Sequence, residues 1–153
     1  MAIVALVLSV VLFFGLQWSR QTVSLGMVAE KATPYPVAMA NGRPTIIEFY
    51  ADWCESCQTM AKTNWQMETT YGDQINFVML NVDNNKWLPE LTKYRVDGIP
   101  RFIFLDRQQN QIGDAVGIIP GNIMEANIKA MVAGQPLPHN NLVGNFSNTN
   151  TDS

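Results

Sequence analysis

Two cysteines three positions apart, Cys54 and Cys57, are the chain's clearest candidates for a reactive pair. They lie in Trp53-Cys54-Glu55-Ser56-Cys57, directly after the apolar run Ile46-Ile47-Glu48-Phe49-Tyr50. A Cys-x-x-Cys between a strand and a helix puts the first sulfur at a helix N-terminus, where unpaired amides and the helix dipole favour a thiolate. The thiolate is the species that attacks disulfides. With Gly98-Ile99-Pro100 preceding a further apolar run, the motif points to dithiol redox chemistry.

These are the only two cysteines, which rules out a disulfide-stapled framework and leaves no thiols for a structural zinc site built from four cysteines. The single histidine, His139, lies in a Pro-rich tail. No metal and no cofactor is expected. Two readings of another class stay open: a copper carrier using both thiols, for which Met60 is the only nearby additional ligand, and a non-catalytic binding module.

The secondary structure around the pair follows from the sequence pattern. The chain has 153 residues, enough for one compact domain of roughly 100 residues plus terminal appendages. Its net charge is −3, and no block of lysines or arginines marks a nucleic-acid footprint, so proteins are the expected partners. Ala2 to Trp18 carries no charge and is closed by Arg20. At about 1.5 Å per residue it reaches roughly 25 Å, near the lower limit for a spanning helix. The rival is a cleaved secretory signal, but no basic residues precede the stretch and no Ala-x-Ala site follows it closely. Residues 2–18 are therefore expected to form an uncleaved transmembrane anchor, and residues 19–42 a juxtamembrane linker with a short helix near Val37 to Ala40.

Residues 43–134 read as the folded domain. Arg43 to Tyr50 is a strand apolar on both faces, as a covered central strand is. A helix over Cys54 to Tyr71, a strand over Ile75 to Val82 and a short helix over Trp87 to Tyr94 follow. Arg101 to Leu105 and Gln111 to Gly117 flank the polar turn Asp106-Arg107-Gln108-Gln109-Asn110 as a hairpin. A last helix starts at Pro120 and stops at Gly134. Residues 135–153 read as a flexible tail, since from Asn140 onward the chain is rich in Asn, Ser and Thr with little to bury. The order is mixed α/β, a central mixed sheet flanked by helices.

From about Pro44 to Val132 the chain resembles thioredoxin, through Glu-Phe-Tyr-Ala-Asp-Trp-Cys-x-x-Cys, Asn81-Val82-Asp83 and Gly98-Ile99-Pro100. The apolar N-terminus, joined to Phe49 through Cys54 and to Cys57-Gln58-Thr59-Met60-Ala61, is similar to the TxlA-like membrane thioredoxins of cyanobacteria and their thylakoid relatives. The resemblance implies a thioredoxin fold and a protein-disulfide reductase. Cys54, at the exposed end of the strand-to-helix turn, would be the nucleophile, and Cys57, one turn in, would resolve the mixed disulfide. Glu48 stands where thioredoxins carry an aspartate. Burial in its apolar strand would raise its pKa and let it exchange a proton with Cys57, whereas an exposed strand glutamate would do neither.

Ile99-Pro100 resembles the family's cis-proline step, whose backbone edge lets a client segment pair as an added strand. Trp53, Ile99, Pro100, Val116 and Gly117 would form the surrounding apolar groove. Several positions depart from thioredoxin. Arg101 replaces a common threonine and would either favour an acidic partner or face solvent. Met79 stands where a buried lysine is frequent, and Lys62 where a helix-kinking proline is. Glu55-Ser56 replaces Gly-Pro, and a carboxylate beside Cys54 works against the thiolate, a direction that favours a reductant over an oxidase or isomerase. The resemblance further implies an anchor in the thylakoid or plasma membrane, a domain facing the lumen or periplasm, clients among apocytochromes c and photosynthetic electron-transfer components, and a membrane thiol donor that re-reduces the pair. Arg20, just after the apolar run, argues for the opposite orientation.

Overall fold

A computed structural model describes residues 22–145 and 147–148. The anchor expected at residues 2–18 lies outside them. Among the described residues no helix is long and apolar enough to cross a membrane.

Two short helices precede the sheet. The first, α1 (Leu25–Lys31), falls in the segment that the sequence suggests is linker. Ser24 caps it by accepting the Met27 amide at 3.3 Å, and Leu25 and Val28 bury their side chains in the core. At seven residues it is too short for periodicity to reveal. Pro34 and Pro36 then open α2 (Tyr35–Ala40), which starts two residues earlier than expected because proline is tolerated in a helix's first turn.

The central strand β1 (Thr45–Tyr50) is buried along its whole length. It pairs in parallel with β2 (Asn76–Asn81) and antiparallel with β4 (Arg101–Leu105), which pairs antiparallel with β5 (Gln111–Val116). Between β1 and β2 runs α3 (Glu55–Tyr71), 17 residues unbroken at Lys62. A 3-10 turn and α4 (Leu88–Lys93) lead to the two-residue strand β3 (Gly98–Ile99). The last helix, α5 (Gly121–Ala133), starts after Pro120 and ends at Gly134, whose φ of 66° is the left-handed cap read from sequence.

The described part of the tail expected to fray, up to Asn148, is paired instead. Leu137 is buried, and Asn127 clamps the His139 backbone, donating to its carbonyl at 2.6 Å and accepting its amide at 3.0 Å. Beyond this clamp β6 (Leu142–Val143) joins the sheet edge, giving the order β2-β1-β4-β5-β6, and β7 (Ser147–Asn148) pairs with β3. Main-chain hydrogen bonds hold this segment, so its low apolar content did not foretell its order.

Candidate active site

The end of β1 delivers the chain into a tight turn, closed by the Cys54 amide donating to the Ala51 carbonyl at 3.2 Å. Cys54 is the N-cap of α3, and its Sγ accepts the Cys57 amide at 3.1 Å. The two cysteines form a disulfide with Cα atoms 5.2 Å apart, well inside the range a bridge requires. When the bond is reduced, the same amide and the positive end of α3 face the Cys54 sulfur and favour its thiolate. Glu55 occupies the first helical position and is exposed, so its opposing charge is solvated. Cys57 is buried, as expected one turn in. Cys54 is buried too, at 0% exposure, which corrects the expectation of an exposed sulfur. Capping geometry turns the side chain inward over the helix end rather than outward from the turn.

Cys57, Ala61, Asn64 and Glu68 lie on one face of α3, at the i, i+4, i+7 and i+11 spacing that a helix stacks together. Below this face sits Glu48, 3% exposed. Asn64 donates to its Oε2 at 2.7 Å. Burial drives the Glu48 pKa up to about 8, the Asn64 hydrogen bond opposing the rise. The expectation of a buried carboxyl thus describes the site correctly. Met79 is in register with Glu48 across the β1–β2 ladder, so the position of the familiar lysine supplies no cation. A cavity of about 10 Å³, bordered by Glu48, Asn64, Met79, Phe102 and Met124, has room for at most one water beside the carboxyl. Sequence reading missed Asn64. Its signal was the spacing of seven residues from Cys57, two helical turns along the same face.

The Ile99–Pro100 peptide is cis. The Pro100 carbonyl accepts the Gly117 amide at 2.8 Å, which brings Ile99, Pro100, Val116 and Gly117 to one place. Ile99 and Val116 are buried rather than open to a groove. Trp53 is 52% exposed, with its indole N–H donating to Asp83 Oδ2 at 2.9 Å. Arg101 neither faces solvent nor stands free for an acidic partner. It pairs with Asp97 at 3.1 Å and with Asp114, the latter on the neighbouring strand β5. Met60 is 1% exposed and its Sδ accepts the Ile119 amide at 3.3 Å, so it packs toward α5's side of the core. Among the described residues no three His, Cys, Asp or Glu side chains converge as a metal site.

Comparison with known proteins agrees with this arrangement. The thioredoxin family model matches residues 27–130. The Thiol:disulfide interchange protein TxlA homolog of Synechocystis sp. is 48% identical over 147 residues, covering 96% of this chain and 82% of that protein. Thiol:disulfide interchange protein TxlA of Synechococcus elongatus is 47% identical over 148 residues, covering 97% and 78%. The chloroplastic Thioredoxin-like protein HCF164 of Oryza sativa subsp. japonica is 49% identical over 126 residues, covering 82% and 48%. A chain from a solved structure concerning the thiol resolving mechanism of yeast mitochondrial 1-Cys peroxiredoxin via glutathione/thioredoxin systems superposes with a TM-score of 0.55 at 22% identity, covering 66% of this chain and 96% of that one. That likeness is one of fold.

Proposed function

The chain belongs to the thioredoxin family and is a thiol-disulfide oxidoreductase, and from this premise we propose that it works as a reductase of disulfides in client proteins. One observation carries the reading: Cys54 Sγ caps α3, accepts the Cys57 amide and is bonded to Cys57. In the reduced protein the Cys54 thiolate attacks a client disulfide, forms a mixed disulfide and releases one client thiolate. Cys57 then gives its proton to Glu48 and attacks Cys54 Sγ. The intramolecular disulfide closes and the second client thiolate leaves, taking up a proton. Two electrons pass to the client, and an external thiol donor must return them.

Glu48 acts as the proton acceptor because it is buried, has no cation beside it among the described residues and has a pKa near physiological pH. Ile99 and Pro100 supply the client-pairing edge, with Trp53, Val116 and Gly117 around it. The uncharged Ala2 to Trp18 run supports a membrane anchor. A chloroplastic relative fits a thylakoid membrane as the location, a plasma membrane being the counterpart, with the domain placed on the lumenal or periplasmic side and a membrane thiol donor returning the electrons. Apocytochromes c and photosynthetic electron-transfer proteins are the clients to examine first.

The Cys54–Cys57 reduction potential, measured by equilibration in dithiothreitol or glutathione buffers, tests the direction of transfer. A value near −270 mV fits a thioredoxin-like reductant, and one near −120 mV would make the protein an oxidant instead. Cys57→Ser should accumulate client mixed disulfides that Cys54→Ser does not form.

A further inference from the structure

The segment after Asn141 lies along the same backbone that a client would use. β6 adds in parallel to β5, pairing Ala115 with Leu142 and Val116 with Val143. The Gly144 amide donates to the Val116 carbonyl at 2.6 Å, and the Ile118 amide donates to the Asn145 carbonyl at 2.9 Å. The two chains meet glycine to glycine. A Cβ on Gly117 would fall 2.6 Å from the Gly144 carbonyl carbon, and one on Gly144 would overlap the Ile118 carbonyl oxygen. The tail therefore seats on a surface shaped for close backbone approach rather than lying loosely on it.

Ser147 and Asn148 then pair antiparallel with Ile99 and Gly98. This strand is the only partner of β3 among the described residues. Gly98–Ile99 is the main-chain edge next to Pro100, so strand addition at that edge is already satisfied from within the chain. In the same arrangement Cys54 has no exposed surface. The pair is disulfide-bonded in this arrangement, so a thiol that attacks Cys54 Sγ needs that cover to open.

We propose that residues 142–145 with 147–148 are an intramolecular stand-in for the client, a strap that an incoming extended polypeptide displaces from the Gly98–Ile99 edge. This rests on the reductase reading above. The occupant is matched by main-chain hydrogen bonding, so the clients selected are those that present an extended segment beside their disulfide. Binding is weakened by the fraction of molecules in which the strap is seated, because only the open form is competent.

The test uses the full chain with insulin as the disulfide client. Gly144→Val wedges the strap off the Ile118 carbonyl, and a separate Ser147→Pro/Asn148→Pro double variant removes whichever β7 amide donates to β3. Both changes lie in the last residues, and unchanged melting would show that the domain is intact. Both variants should lower KM for insulin on the order of 3–10-fold with kcat and reduction potential unchanged. Amide hydrogen exchange at the Gly98–Ile99 edge, slow in the parent at the amide that faces β7, should become fast. An unchanged or raised KM once that amide is deprotected would overturn the strap. Failure of the Cys57→Ser protein to trap insulin, with the strap seated or released, would remove the exchange reading itself and this proposal with it.

Discussion

Asn64 and Glu48 form a buried pair beneath the active-site helix: the Asn64 amide donates to Glu48 Oε2 at 2.7 Å, while Oε1 has no partner among the described residues. One oxygen is thus fixed and the other is left for a proton. Removing the donor with Asn64→Leu takes away the one interaction that favours the charged carboxylate, so the Glu48 pKa should rise further above 8. In single-turnover experiments, the pH at which the resolving step reaches half its maximal rate should move to more alkaline values. A rate lowered equally at every pH would indicate that Asn64 only packs.

The same burial links pH to stability. Glu48 binds its proton with a pKa of about 8 when folded and 4.5 when unfolded, so between those values the native state holds more protons. Stability from this group is complete below pH 4.5 and is lost as pH rises toward 8. Glu48→Gln removes that dependence. Its denaturation midpoint should fall less than the parent's between about pH 5 and about pH 9, while resolution by Cys57 slows by about 10²-fold or more at the parent's optimum. Parallel stability profiles for the two proteins would refute the buried-acid assignment.

Much of this site was legible in the sequence, and the reasons differ by residue. Cys54 and Cys57 form a local motif, the cis state of Ile99–Pro100 was implied only by the resemblance to thioredoxin, and Glu48 could be read as buried because Ile46, Ile47, Phe49 and Tyr50 surround it on one strand. Asn64 carried only a weak signal, its place two helical turns from Cys57, because its partner lies 16 positions away and an asparagine inside a helix has no pattern of its own. The pairing of Ser147–Asn148 with Gly98–Ile99 was hidden for a similar reason. It is made by main-chain groups, which every residue but proline carries alike. The inward turn of Cys54 depends on χ geometry at the N-cap and is set only once α3 exists.

Met79 offers a gain-of-charge counterpart. It is in register with Glu48 and borders the same small cavity, so Met79→Lys would put a cation beside the carboxyl. An opposite charge favours ionisation, and the pH profile of the resolving step should shift acidic, opposite in sign to Asn64→Leu. Combining Met79→Lys with Glu48→Gln should abolish the shift. A shift that survives in the double variant would show that the lysine acts on the cysteines directly.

Arg101 tests whether a departure from the family serves clients or the fold. Its guanidinium pairs with Asp97 and with Asp114, and only 17% of its side chain is exposed. Arg101→Thr would leave the part-buried Asp114 carboxylate without its partner, at a cost of about 1–3 kcal/mol in unfolding free energy. Selectivity among acidic, neutral and basic disulfide peptides should stay as in the parent, because the charge is already consumed within the domain. A stable variant with altered preference for acidic peptides would reverse this assignment.

Trp53 is the remaining groove residue with a free face. It is 52% exposed, and its one polar group is satisfied by Asp83, so the ring is held in position without being buried. A large aromatic fixed by a single hydrogen bond beside the cysteines suits client contact better than core packing. Trp53→Ala should change stability by less than about 1 kcal/mol while raising KM for a protein disulfide by about 3–10-fold. Reduction of a small disulfide such as oxidised dithiothreitol, which reaches no further than the sulfur, should be little affected. Equal losses with both substrates would mean that Trp53 tunes Cys54 itself, through the Ala51–Cys54 turn, rather than the docking of a client.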